Sequence, residues 1–308
     1  MKKSISKFFL ILLAISFPLS IGLFISTVFA ETKPAEADEG FVLVKGGCYQ
    51  MGDTFGEGDT DEKPVHEVCV DNFYMGKYEL TVGEFREFVK GTGYKTEAEK
   101  ESGCYVWQRK RWERKKEYNW RNAGFSQTEM DPVVCISWND ADEFIKWLNK
   151  KTNKNFRLPT EAEWEYSARS GGKQYKYSWG NGASSSGMAD ASVNKIFSTW
   201  SIWNGYNNGD FYTSPVGSSL RPNEIGLSDM TGNVWEWAAD WYGESYYKDS
   251  PKNNPTGPAY KKTRNKYRVL RGGSWTCEPW VVRASDRFML APSMRTPLMG
   301  FRLALPAE

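Results

Sequence analysis

Histidine is nearly missing from this 308-residue chain: His66 is the only one, and that scarcity removes whole classes of chemistry. Zinc and non-haem iron centres built on two or three imidazoles cannot form. A Ser-His-Asp triad could use only His66, which has no recognisable nucleophile turn near it and reads as a strand or surface histidine. No glycine loop of the phosphate-cradling type is present. A charge of one sign is also absent, since the formal net charge is +2 and falls to −1 once Lys2, Lys3 and Lys7 are set aside. Nothing in that balance calls for nucleic acid. The basic cluster Arg109, Lys110, Arg111, Arg114, Lys115 and Lys116 is interleaved with Glu113 and Glu117 and reads as a solvated, partly helical surface segment. There is no internal repeat and no linker that would split the chain.

What is present begins with a compartment. Three lysines precede an apolar run from Phe8 to Ala30, with Val28 and Ala30 small enough for a cut after Ala30. That is the layout of a secretory signal peptide. The run is also long enough to cross a bilayer, so an uncleaved anchor stands as the alternative. Either way the remainder is exported, periplasmic or secreted, and any membrane contact is through this segment alone. Residues 31–40 are a polar tether, and 41–306 form one domain.

Five cysteines in an oxidising compartment leave an odd one. Cys48 and Cys69 are expected to close a loop of about 20 residues, worth roughly 3 kcal/mol on the chain-entropy model. The partners of Cys104, Cys135 and Cys277 stay open.

The pattern of elements is mixed α+β. Strands are expected at Phe41–Val44, His66–Val70, Pro132–Ser137 and Gly300–Ala304. Thr81 followed by Glu84, Ser137 before Asp140, and Thr160 followed by Glu163 mark three helix starts, predicting helices over about 82–90, 139–150 and 161–169. Their inward faces are Phe85, Phe88 and Val89; Ala141, Phe144, Ile145 and Leu148; and Trp164 and Ala168. Residues 91–131 read as a long surface excursion with some helix. Beyond about residue 170 the chain is rich in Gly, Asn, Ser and Trp, and such loops need buried indoles or bound cations to hold them.

Two oxygen-rich stretches fit calcium. In the first, Asp229 and Glu236 flank Gly232 and Asn233, which can turn carbonyls inward. The second is Asn207-Asn-Gly-Asp-Phe, with Asp190 upstream. Ordinary loops are the plainer reading of both. Cys277 follows Gly272-Gly-Ser-Trp, where a structural disulfide competes with a redox or metal-ligand role. Arg287 and Arg295 read as structural partners of carboxylates, or alternatively as anion contacts.

Taken together, Tyr78-Glu-Leu-Thr, Val134-Cys-Ile-Ser-Trp-Asn-Asp-Ala, Arg157-Leu-Pro-Thr-Glu-Ala-Glu-Trp, Gly226-Leu-Ser-Asp-Met-Thr-Gly-Asn-Val-Trp-Glu-Trp, Arg271-Gly-Gly-Ser-Trp and Gly300-Phe-Arg resemble the formylglycine-generating enzyme, or sulfatase-modifying factor, domain. The resemblance implies an elaborated C-type-lectin-like fold with little regular secondary structure and structural calcium. One calcium would use the Asp229 and Glu236 side chains with carbonyls near Gly232 and Val234. The other would use Asp190, Asn208 and a carbonyl near Asp210. It also implies an oxidase that converts a substrate cysteine to formylglycine on a copper ion held by two cysteines. Cys277 matches the first, with Ser274, Trp235 and Arg287 beside it in the implied catalytic set, but Val282 stands where the second belongs. Leu298 replaces an asparagine expected before Gly300-Phe-Arg. Three readings follow. The first is a calcium-stabilised scaffold that binds a protein, peptide or glycan around Trp235, Ser274, Cys277 and Trp280. The second is a divergent copper oxidase that borrows Cys135 or Cys104, and the third is an assembly factor of the envelope.

Overall fold

The computed structural model describes residues 40–108, 111–182, 212–218 and 221–307. Among these residues, eleven strands and four α-helices are set in long irregular stretches. Strands β1 (Phe41–Val44), β4 (Phe73–Gly76) and β11 (Ala304–Pro306) form an antiparallel sheet that joins the two ends of the domain. A second sheet has the order β10 (Met299–Gly300), β7 (Trp235–Trp241), β8 (Arg268–Arg271), β9 (Phe288–Leu290). Two hairpins complete the set: β2 (Gly47–Met51) with β3 (His66–Val70), and β5 (Cys104–Gln108) with β6 (Arg111–Lys115).

Each long helix starts where its capping residues place it. Thr81 Oγ1 accepts from the Glu84 amide, and Glu84 accepts from the Thr81 amide in return, opening α1 (Val82–Thr92). Ser137 and Asp140 open α3 (Trp138–Thr152), and Thr160 and Glu163 open α4 (Glu161–Ala168) in the same way. Each box satisfies two amides that the helix itself leaves without partners. Phe85, Phe88 and Phe144 then meet Trp120, Trp237 and Phe301 in the larger core, with Leu148 at its edge. Trp164 of α4 seals a second core against Val68, Val70, Met75 and Met230.

Three expectations are corrected. Pro132–Ser137 is buried but is not a strand: Pro132 makes only an isolated bridge to Thr81, and Cys135 has φ 57°, which extended pairing cannot accommodate. Gly300–Ala304 does not run as one strand. It splits into β10 and the start of β11 in different sheets, because Arg302 between them turns inward to Glu236. The basic cluster is not helical where described. Residues 104–108 and 111–115 pair as the strands of a hairpin in which Trp107 faces Trp112 and Tyr105 faces Arg114, pairs that favour a pleated surface. Among the described residues of 91–131, only α2 (Glu97–Lys100) is helical after the end of α1.

Disulfides join Cys48 to Cys69, as expected, and Cys104 to Cys135. Cys277 is free.

Candidate functional site

The site is built around the turn that leaves β8. Arg271 closes that strand with its guanidinium fully buried, donating to the carbonyls of Ala284 and Ser285 at 2.8 Å and pairing with Glu165. Gly272 and Gly273 follow at φ 97° and 77°, in the left-handed region that residues with a Cβ avoid. Ser274, Trp275, Thr276 and Cys277 then curl back. The Trp275 amide donates to the Asn233 carbonyl at 2.8 Å and the Cys277 amide to the Ser274 carbonyl at 2.9 Å. Ser274 Oγ lies 3.0 Å from Thr276 Oγ1 and 3.4 Å from Cys277 Sγ.

Among the described residues the side-chain partners of Cys277 are the hydroxyls of Ser274 and Thr276, neither of which is a base. Burial pushes its thiol up to about 11, and hydrogen bonds from Ser274 only partly offset that. Without a metal it is a thiol near neutral pH, not the thiolate that acts as a nucleophile. Val282, where the family resemblance expects a second cysteine, is fully buried and packs with Cys277 and Tyr177. Cys104 and Cys135 are joined to each other, so neither can lend a thiolate to Cys277. This overturns the idea that one of them completes a copper site. The donor set does not fit copper(I), which needs soft thiolates in numbers.

Trp235 is almost fully buried against Phe288, and Ser274 is 1% exposed, so neither presents a surface. Trp280 is exposed, its indole N–H donating to Glu278. Arg287 lies inside the protein with its guanidinium on both oxygens of Glu161 at 2.6 and 2.8 Å, engaged there rather than offered to an anion. Arg295 is likewise buried, donating to the Gly103 and Ser293 carbonyls and to Glu101.

Of the first calcium stretch, Asp229 and Glu236 are both buried. Asp229 Oδ2 accepts from the Gly217 amide at 2.6 Å. Glu236 accepts two bonds from Arg302 at 2.6 Å and one from the Trp164 indole at 2.8 Å. Glu79 is a third carboxylate in this neighbourhood. It accepts from Asn233 Nδ2 at 2.6 Å and from the Val234 amide at 3.2 Å. Burial, and then the nearby Asp229 and Glu236 charges, push Glu79 well above the ordinary carboxylate range. Burial raises Asp229 to about 6. Sequence reading missed Glu79, though an acid directly before the apolar start of α1 was a usable signal. Among the described residues no three His, Cys, Asp or Glu side chains form a ready metal cluster, so a cation here would also need backbone oxygens. The excess of buried acid over Arg302, together with hard oxygen donors, fits calcium. Asp190, Asn208 and Asp210 lie outside the described residues.

Residues 27–307 match the sulfatase-modifying factor enzyme 1-like domain. The chain belongs to that family. It is 34% identical over 317 residues to the formylglycine-generating enzyme of Streptomyces coelicolor, covering 91% of this chain and 94% of that protein. It is 31% identical to the inactive C-alpha-formylglycine-generating enzyme 2 of Bos taurus, covering 85% and 87%. Among solved structures, PvdO from Pseudomonas aeruginosa superposes with a TM-score of 0.67 at 28% identity, covering 86% of this chain and 94% of that one. The α+β architecture of this sulfatase-modifying factor domain, with its modest regular secondary structure, is that of the family.

Proposed function

We propose that this sulfatase-modifying factor domain is an exported binding protein without copper oxidase activity, stabilised by calcium. The reading rests on Val282: the family resemblance expects a second thiolate at this position, and the side chain there is a buried hydrocarbon. A single sulfur does not hold copper(I) as a thiolate pair does. That a relative of similar identity is named inactive agrees with this. Export is supported by two disulfides, which persist in oxidising compartments. Among the described residues no helix is long and apolar enough to cross a membrane.

Calcium, when bound, supplies fixed positive charge and draws carbonyl and carboxylate oxygens of separate segments together. Asp229 and Glu236 would hold it, with the Gly232 and Val234 carbonyls. Glu79 orients Asn233 and the Val234 amide and adds negative charge nearby. The segment these residues would fix is the one whose Asn233 carbonyl receives the Trp275 amide, so holding it would also steady the turn of Trp275 and Cys277. The ligand is bound on the surface that starts at this turn.

The test is incubation of the reduced, copper-loaded protein with a Cys-x-Pro-x-Arg peptide, read by mass spectrometry. No aldehyde product above a copper-only control is expected. Product at catalytic turnover would overturn the reading.

A further inference from the structure

Trp275 also forms part of a cleft that the conversion of cysteine does not call for. The cleft measures about 80 Å³, and its walls are Trp107 and Trp112 of the β5–β6 hairpin, Tyr118, Phe125, Tyr212 and Trp275. Phe125 and Tyr212 stack at 4.3 Å, and Trp275 meets Tyr212 edge-on at 5.0 Å. Trp107 and Trp112 pack edge to face at 5.6 Å. The hairpin is fixed in place by the Cys104–Cys135 disulfide and by the Tyr105 amide, which donates to the Arg295 carbonyl at 3.1 Å. Trp275 is fixed by its indole N–H, which donates to the Pro297 carbonyl at 3.2 Å. The aromatic walls therefore stand on anchored elements, yet Trp112 and Tyr212 remain 39% and 38% exposed. Solvent-facing aromatic rings on a rigid frame mark a recognition site.

Size and chemistry narrow the occupant. About 80 Å³ falls well below the roughly 300 Å³ at which sites for whole small molecules begin, and suits one side chain of a larger partner. A sugar ring would leave its hydroxyls against Val106, Ala123 and Phe125 without partners. The rim has a sign. Arg114 lies two residues beyond Trp112 on the same face of β6, and Arg114 and Lys116 are exposed, with Glu117 the one exposed acid beside them. Glu113 is already held by Arg111 and Lys115. A cationic guest in this aromatic cleft would meet that basic rim, so an acidic one is favoured.

We infer that the cleft docks an acidic polypeptide segment by burying one aromatic side chain between Trp112 and the Phe125–Tyr212–Trp275 wall. Carboxylates on either side of that ring meet Arg114 and Lys116. The inference rests on the reading of the chain as a binding domain.

The probe is acetyl-Asp-Glu-Phe-Glu-Asp-amide, titrated into the full exported chain while the indole N–H signals of Trp107, Trp112 and Trp275 are followed by NMR. Signal assignment uses single Trp→Phe variants. Saturable shifts at these three indoles are expected. Affinity should fall about tenfold or more when the peptide's Phe becomes Ala, when its acids become Lys, or when Trp112→Ala or Arg114→Glu is made. Both protein positions are exposed, and an unchanged melting midpoint verifies folding. Three results would overturn the inference: silent indoles, equal binding of the lysine peptide, or tighter binding of an acidic oligosaccharide. Silent indoles without aldehyde product would retire the cleft alone, whereas aldehyde product would retire the non-oxidase reading whatever the indoles do.

Discussion

A Cβ built on Gly273 would lie 2.4 Å from Val282 Cγ1, so the Cys277 turn closes directly onto the valine side chain. The position that would complete a thiolate pair is thus a packing element, fully buried beside Tyr177 and Cys277. Val282→Cys replaces it with a side chain of similar volume, at an expected stability cost below about 1.5 kcal/mol. It should tighten copper(I) binding about tenfold or more in a chelator competition, because two sulfurs then share one small cluster. Unchanged affinity would mean that residues 277 and 282 do not converge, and that the valine is not what the site lacks.

Removal of calcium should lower stability measurably. A cation present at about 100 times its dissociation constant stabilises by roughly 2.7 kcal/mol, which for a domain of this size is about 5–10 °C in melting midpoint. The expected result is a drop of that order on adding chelator, restored by excess calcium. Asp229→Asn should shrink the difference to a few degrees. Identical melting curves with and without chelator would remove the structural ion from the account.

How much of this could be read in the chain depends on the range of the interactions. The starts of α1, α3 and α4 were legible because Thr81 with Glu84, Ser137 with Asp140 and Thr160 with Glu163 act over three residues. The Cys48–Cys69 bridge was legible because its residues sit opposite each other in one hairpin. Arg302 was not. Its partner Glu236 is 66 residues away, and that pairing breaks an otherwise strand-like ending. The pleated form of residues 104–108 and 111–115 is likewise set by cross-strand pairs and by a disulfide to Cys135, which a charge count does not reveal. At the site, the Cys277 turn and two carboxylates were visible from composition and resemblance. Glu79, 154 residues before its partner Asn233, and the aromatic cleft needed the fold.

Cys277 should be slow to alkylate. With its thiol pushed up to about 11 by burial, the thiolate fraction at pH 8 is about 100-fold or more below that of an unperturbed cysteine near 8.5. The rate of iodoacetamide modification, followed by mass spectrometry, should be reduced correspondingly and keep rising tenfold per pH unit through pH 9. Only one site should react without reductant, since the other four cysteines are paired. A fast reaction that levels off near pH 7 would show a stabilised thiolate and reopen a nucleophilic role.

Acid should unfold the protein through its buried ion pairs. Burial alone would raise Glu161, but Arg287 and Arg271 overcome it and hold the carboxyl below its usual 4.5. Burial also opposes Glu62, which Arg283 nevertheless holds below 4.5. A carboxylate depressed in the folded state contributes stability that is present above its unfolded value and is lost as pH falls through the folded one. The melting midpoint should therefore stay level on this account above about pH 5 and fall steeply below about pH 4. Arg287→Ala strips Glu161 of its bidentate partner at a cost of about 3–5 kcal/mol and leaves Arg271 3.6 Å away as the nearest cation. In that variant Glu161 titrates higher, so the acid transition should move to higher pH as well as start from a lower midpoint. A variant that loses stability equally at pH 4 and pH 7 would show that Arg287 acts by packing and not by holding the Glu161 charge.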